Sequence, residues 1–266
     1  MSPTVAIIQL PGSNCERETA RAIEMAGGSA RIVRWNEPPA RLVDFGAYVI
    51  PGGFSYQDRI RAGAVAARLP VLDVIAQRAR EGAPVLGICN GAQVLVETGL
   101  VPGFHEGALE VVLAPNRMPG RDGYYTRWVL LGEGPASGRC LFTRDLNARI
   151  LPIPMAHGEG RFWTRDPAVA QRLASHVALT YRTPAGDPAV DFPWNPNGSL
   201  ESAAGITNEK GNVLALMPHP ERAVLRAQVP DSLTGRTEGG GADGPPESAG
   251  PGLLLFRSLV EVLCTR

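Results

Sequence analysis

Residues 85–97 read VLGICNGAQVLVE, and this stretch decides how the chain folds. The first four residues are apolar and predict a buried strand, and a helix is expected to begin near Gly91. Between strand and helix, GICNG has the glycine–any–nucleophile–any–glycine form of a nucleophile elbow, with Cys89 in place of serine. The flanking glycines matter because so tight a turn leaves no room for side chains beside the nucleophile.

This elbow predicts a reactive cysteine. The N-terminus of the following helix would lie beneath the Cys89 sulfur, and its positive dipole end favours the thiolate. The backbone N–H of Asn90 would be placed to donate to a developing oxyanion. The alternative is a buried structural cysteine at a strand end, a common location for this residue type.

Outward from the elbow, strands and helices alternate through the first hundred residues. This order favours an α/β fold with a mostly parallel sheet that carries helices on both faces, and ligands at the carboxyl ends of its strands. The predicted strands are 4–10, 30–35, 47–50 and 85–88, and the predicted helices are 16–26, 58–69 and 71–80.

The second half of the chain is less regular. Strands are predicted at 109–113, 126–131, 177–181 and 213–217, and helices at 166–173 and 253–263. Residues 183–199 are proline-rich and irregular. Residues 230–251 are rich in glycine, proline, serine and acids, which predicts an exposed, mobile surface loop within a single domain of residues 1–266.

Composition excludes several classes of protein. The 26 basic and 26 acidic residues give no net charge, so nucleic-acid binding is not predicted. No stretch of about 18 apolar residues is present, so no membrane span is expected. The four cysteines form no CxxC pair, so neither a metal site nor a disulfide framework is predicted. We therefore expect a cytoplasmic protein with reduced thiols.

A second signal is MPHPE at residues 217–221, at the carboxyl end of a predicted strand. The two prolines favour an extended backbone around His219. Residues two apart in an extended segment share a side, so the Glu221 carboxylate is predicted to bond one imidazole nitrogen and orient the other toward a thiol. The alternative is a histidine and a glutamate that cap a loop-to-helix junction.

A third signal is PGG at residues 51–53, also directly after a predicted strand. Such a turn exposes backbone N–H groups, so Gly53 is a candidate for the second half of an oxyanion hole; a plain turn is the alternative. Because carboxyl ends of parallel strands share one edge of a sheet, the three signals predict a cysteine–histidine–carboxylate site for acyl transfer.

These motifs resemble the class I glutamine amidotransferases, and more narrowly the small glutaminase subunit of phosphoribosylformylglycinamidine synthase. The resemblance is carried by PGSNC (11–15), PGGFSY (51–56), LGICNGAQVL (86–95), AHGEG (156–160) and NEKGNVLALMPHPERA (208–223). It implies a three-layer, flavodoxin-like architecture and hydrolysis of L-glutamine to glutamate and ammonia through a cysteinyl thioester.

By this resemblance Cys89 is the nucleophile, His219 the general base and acid, and Glu221 the carboxylate that orients the histidine. The N–H groups of Gly53 and Asn90 would bind the oxyanion. Ammonia would pass to a large synthetase subunit that uses ATP and Mg²⁺ to make the amidine from formylglycinamide ribonucleotide in purine biosynthesis. A small third subunit joins the complex in many bacteria, and the resemblance implies no cofactor in this chain.

The chain also departs from the family pattern. Gln57 stands where the family usually has glycine, which puts the geometry of the adjoining loop in doubt, and Ala92 replaces a phenylalanine. His157 and Glu159 are predicted to face either the partner or the glutamine pocket, and Cys15 is a weaker candidate thiol at the same edge. A cysteine peptidase and a non-catalytic member of the fold are the competing hypotheses.

Overall fold

The computed structural model describes residues 4–234 and 245–265, and its centre is a nine-stranded sheet. One half of the sheet is parallel and has the order β2-β1-β3-β4-β11. Its strands are β1 (Thr4–Gln9), β2 (Ser29–Arg34), β3 (Ala47–Ile50), β4 (Val85–Ile88) and β11 (Val213–Leu216). Every residue of β3, β4 and β11 is buried, as expected for parallel strands covered on both faces.

The other half of the sheet is antiparallel and continues from β11 in the order β10-β9-β6-β7. Its strands are β6 (Tyr125–Glu133), β7 (Leu151–His157), β9 (Val177–Arg182) and β10 (Ala203–Thr207). A separate two-stranded sheet pairs β5 (Val112–Pro115) with β8 (Glu159–Trp163). Strands β7, β8 and β10 were not predicted from the sequence.

The helices are α1 (Glu16–Met25), α2 (Pro70–Arg80), α3 (Asn90–Glu97), α4 (Pro167–Leu173), α5 (Asp231–Thr234) and α6 (Leu253–Cys264). Helix α1 packs on β1, β2 and α6, whereas α3 packs on β3, β4, β11 and β5. All eight residues of α3 are buried, so the helix that follows the elbow is held on all sides. The predicted α/β fold is thus confirmed, with the parallel arrangement in the β2-β1-β3-β4-β11 half of the sheet.

The predicted helix at 58–69 is wrong. The structure has short 3-10 turns at Ser55–Asp58 and Ala66–Arg68, and α2 begins only at Pro70. Residues 56, 57, 58, 60 and 63 have positive φ angles between 52° and 81°. A right-handed helix cannot run through such residues, and the apolar spacing of this segment does not reveal them.

The predicted loop at 230–251 is described only at its two ends. Residues 231–234 form α5, and the later end pairs with residues 224–227 through Arg226 N–H to Ser248 O (2.9 Å) and Gly250 N–H to Val224 O (2.8 Å). Its later end is therefore fastened to the domain, while residues 235–244 lie outside the described part. Among the described helices, none is long and apolar enough to span a bilayer.

Candidate active site

The elbow at Cys89 forms as the glycine pattern predicts. Cys89 has φ 51° and ψ −107°, a strained backbone conformation that costs about 1–3 kcal/mol. A Cβ on Gly87 would lie 2.5 Å from Gly91 O, and a Cβ on Gly91 would lie 1.9 Å from Ile50 O. Only glycine fits at both places, because α3 and β3 close directly around the turn.

The Cys89 thiol lies at the start of α3, where it is 6% exposed. Its backbone N–H donates to Leu216 O at the end of β11 (2.8 Å), which ties the elbow to the strand that leads to His219. Its Sγ lies 3.6 Å from Ala156 O on β7. The nucleophile candidate is therefore held by backbone groups from both halves of the sheet.

His219 and Glu221 make the predicted contact, although the predicted backbone is wrong. His219 Nδ1 lies 2.6 Å from Glu221 Oε1, and these side chains are 3% and 0% exposed. The chain is not extended here: residues Pro220–Arg222 form a 3-10 turn, and Glu221 reaches back to the ring. The backbone N–H of His219 donates to Pro154 O on β7 (2.8 Å). This bond fixes the residue between its two neighbouring prolines, Pro218 and Pro220.

The charges around His219 favour the imidazolium. Burial by itself lowers the pKa of His219, but the Glu221 carboxylate and the neighbouring Cys89 more than offset it and raise this pKa well above its ordinary value. Hydrogen bonding to Cys15 and Cys89 adds to the increase. The site can therefore keep a proton on His219.

The two predicted oxyanion donors lie on segments that are tied together. Gly53 has φ 156°, and a Cβ there would lie 2.4 Å from Gly12 O, so the position requires glycine. The side-chain oxygen of Asn90 accepts from Ser55 N–H (3.0 Å), and its amide donates to Asp58 (3.3 Å). The loop after β3 is thus fastened to the first residue of α3. That Gly53 and Asn90 stabilise an oxyanion stays a prediction.

The structure explains why Gln57 is unusual. Gln57 has φ 59° and ψ 29°, a left-handed conformation that glycine adopts without strain. The residue is exposed, and its side-chain oxygen accepts from Arg59 (3.2 Å). Beside it, burial and the charge of Glu159 raise the pKa of Asp58 to about 6. The loop keeps its left-handed turn although glycine is replaced.

His157 and Glu159 make hydrogen bonds to residues that surround the site. His157 is buried and lies 3.1 Å from Asn116 Oδ1 through Nδ1, and burial, together with the charge of His219, lowers its pKa to about 3. It is therefore neutral at physiological pH. Glu159 accepts from Ala62 N–H (3.2 Å) and, through its carbonyl, from Gln93 on α3 (2.6 Å). These contacts leave the two predicted orientations of this pair untested.

Two further side chains belong to the site. Tyr124 donates to Ala156 O (3.0 Å), the carbonyl that also faces Cys89, and no sequence signal marked this tyrosine. Cys15 is completely buried and lies 4.0 Å from His219 Nδ1. The sequence placed Cys15 at this edge but gave no sign that it contacts His219.

Cys15, His219 and Glu221 form a cluster whose ligand atoms lie within 4.8 Å of one another. These atoms already have partners, since Glu221 contacts His219 and the Arg222 guanidinium donates to Cys15 Sγ (2.9 Å). A metal ion would have to displace the Arg222 guanidinium from Cys15 and compete with Glu221 for His219. The arrangement suits proton transfer to and from a thiol better than metal binding.

Comparisons with known proteins agree with this geometry. The model of the CobB/CobQ-like glutamine amidotransferase domain matches residues 2–262. A phosphoribosylformylglycinamidine synthase subunit PurQ from Methanothrix thermoacetophila is 45% identical over 85% of this chain and 88% of its own length. PurQ from Thermus thermophilus is 40% identical over 88% of this chain and 93% of its own length.

A solved structure supports the same assignment. A chain of PurLQS from Thermotoga maritima superposes with a TM-score of 0.73 at 32% identity, covering 99% of this chain and 100% of that one. The matches therefore span the fold and the site together. This chain belongs to the glutamine amidotransferases, and within them to the PurQ subunits of phosphoribosylformylglycinamidine synthase.

Proposed function

We propose that Cys89, His219 and Glu221 carry out the glutaminase reaction of this PurQ family member. The observation that carries the proposal is that the strained Cys89 elbow adjoins a buried histidine–carboxylate pair. In that pair, His219 Nδ1 lies 2.6 Å from Glu221 Oε1. Neither feature is needed for the fold alone, because a strained cysteine and a buried carboxylate both cost stability.

The chemistry follows from the positions of these groups. The Cys89 thiolate attacks the side-chain carboxamide of L-glutamine, and the N–H groups of Gly53 and Asn90 donate hydrogen bonds to the oxygen that becomes negatively charged. The His219 imidazolium gives its proton to the departing nitrogen, which leaves as ammonia, and a glutamyl thioester remains. His219 then takes a proton from water, which attacks the thioester; glutamate and the Cys89 thiolate are released, and the proton of the new carboxyl group passes to solvent.

The fate of the ammonia is inferred from the relatives. PurQ is named as a subunit of phosphoribosylformylglycinamidine synthase, and the similar solved chain is part of PurLQS. We propose that this chain delivers ammonia to a synthetase subunit that uses ATP and Mg²⁺ on formylglycinamide ribonucleotide, with a small third subunit in the complex. The predicted cytoplasmic location stays a prediction.

The test uses the chain reconstituted with its synthetase. Cys89→Ala is expected to abolish amidine synthesis from glutamine and to leave synthesis from an ammonium salt unchanged. Cys264→Ala, which removes an exposed thiol from α6, is the matched control and should leave both activities intact. Loss of both activities in Cys89→Ala would show that the residue serves folding or docking, and retention of both would remove it from the reaction.

A further inference from the structure

Cys15 packs against the candidate catalytic histidine without taking part in the proposed reaction. It follows β1, directly precedes α1 and is completely buried. Its sulfur lies 4.0 Å from His219 Nδ1. A Cβ on Gly52 would lie 3.3 Å from that sulfur and 2.7 Å from His219 Cε1. The thiol, the glycine backbone and the ring therefore fill one tightly packed space.

Arg222 joins this thiol to the carboxylate of the site. Its Nη2 donates to Cys15 Sγ at 2.9 Å, and its Nε lies 3.8 Å from Glu221 Oε1. Cys15 Sγ in turn donates to Asn14 Oδ1 (3.0 Å). One guanidinium thus holds the two groups, sulfur and carboxylate, that both contact the Nδ1 edge of His219.

The proposed mechanism gives these residues no step of their own. The hydrogen bond from Nδ1 to Glu221 does not by itself fix the rotation of the ring about that bond. Cys15 and Gly52 limit this motion, and Arg222 keeps sulfur and carboxylate at a fixed separation. Placement of this kind matters because an error of about 1 Å at a reacting group can cost 10²-fold in rate.

We propose that Cys15 and Arg222 are positioning residues that fix the His219 ring for proton transfer to and from Cys89. The inference rests on the proposed function. It assigns different roles to the two thiols of the site. Cys89 forms the covalent bond to the substrate, and Cys15 acts only through His219. The complete burial of Cys15 argues against a second nucleophile, because a substrate cannot reach its sulfur.

The test measures kcat and KM for glutamine with the chain bound to its synthetase. Cys15→Ala is expected to lower kcat about tenfold or more with KM changed less than about threefold, since a misplaced proton donor affects the chemical step. Cys15→Ser keeps a small polar atom beside Nδ1 and is expected to restore most of kcat. In a double-mutant cycle, Cys15→Ala with Arg222→Ala should cost less than the product of the two single effects, because the residues act through one contact.

The matched control is Cys140→Ala, which removes another completely buried thiol. It should lower the melting temperature as Cys15→Ala does, yet leave kcat unchanged. The inference is overturned if Cys15→Ala keeps wild-type kcat, if Cys140→Ala lowers kcat equally, or if a glutamine-mimicking electrophile labels Cys15. A wild-type complex that hydrolyses no glutamine would instead overturn the proposed function on which the inference rests.

Discussion

The parallel and antiparallel halves of the sheet contribute to the site in different ways. Strands β4 and β11 are neighbours in the parallel half, and Cys89 and His219 follow their carboxyl ends. The antiparallel strand β7 supplies backbone carbonyls, with Pro154 O accepting from the His219 N–H and Ala156 O lying 3.6 Å from Cys89 Sγ.

The two halves therefore differ in how readily their contributions to the site can be recognised in the sequence. A reacting group must be one particular side chain, so the parallel half carries recognisable motifs. A carbonyl is available from any residue, so the contacts of Pro154 O and Ala156 O on β7 require no particular side chain. Side-chain changes after the parallel strands should therefore affect the reaction most, and changes in the antiparallel half should affect mainly stability.

The largest effect is expected for His219→Ala. Removing the proposed proton donor should lower kcat for glutamine hydrolysis by about 10³-fold or more, since the members of a catalytic triad act as a unit. Steady-state kinetics of the reconstituted complex measure this effect, with Tyr124→Phe as the comparison. That control removes a hydroxyl that donates to Ala156 O on β7, and it should change kcat only a few-fold. A near-normal rate for His219→Ala would show that His219 is not the general acid and base of the reaction.

The second prediction concerns the elbow. Gly91→Ala places a Cβ 1.9 Å from Ile50 O, so strand and helix must move apart. The free energy of unfolding should fall by about 3 kcal/mol, the upper end for an overpacked core, and Cys89 should lose its geometry and activity. Urea denaturation measures the loss.

Gly138→Ala is the matched control, because a Cβ there meets nothing within 4 Å. It should leave stability and activity nearly unchanged. Equal effects of the two substitutions would contradict the steric account of the elbow.

The particular residues show what the sequence could and could not predict. The positions of Cys89 and His219 after the carboxyl ends of β4 and β11 were predictable from the motifs, and so was the contact of His219 with Glu221; their catalytic roles stay predictions. The His219–Glu221 contact was predicted with the wrong backbone, since the chain turns at Pro220 rather than extending. The left-handed residues 56–58 and 60 were not predictable, because positive φ at non-glycine positions is imposed by tertiary contacts such as Asn90 with Ser55 and Asp58.

The third prediction concerns His157 at the end of β7. Its pKa is about 3 in the folded chain and about 6.5 when unfolded, so between these values the unfolded chain binds one more proton. Stability is therefore lost as pH falls below about 6.5, with a slope of up to about 1.4 kcal/mol per pH unit from this residue.

His157→Gln removes this titration and keeps an amide for Asn116. Urea denaturation between pH 6 and pH 4 should give a shallower loss of stability for the variant than for wild type. An unchanged slope would contradict the buried neutral histidine.

The smallest effect is expected at α4, far along the chain from the elbow. Asp166 caps this helix by accepting from Ala168 N–H (2.8 Å) and Val169 N–H (3.4 Å). Asp166→Ala should cost about 1 kcal/mol in thermal unfolding, and Asp166→Asn much less, because asparagine also caps. Neither should change kcat. A kcat loss in Asp166→Ala would show that a helix far along the chain from the elbow affects the chemistry.

The most direct test of the central claim is labelling with a glutamine-mimicking electrophile, such as a diazo-ketone analogue of glutamine, followed by peptide mapping. The labelling is carried out on the complex with its synthetase and ATP. We expect a single adduct on Cys89. Glutamine should block its formation, and the His219→Ala variant should not be labelled. An adduct on Cys15, or none on Cys89, would contradict the assignment of Cys89, His219 and Glu221 as the catalytic site.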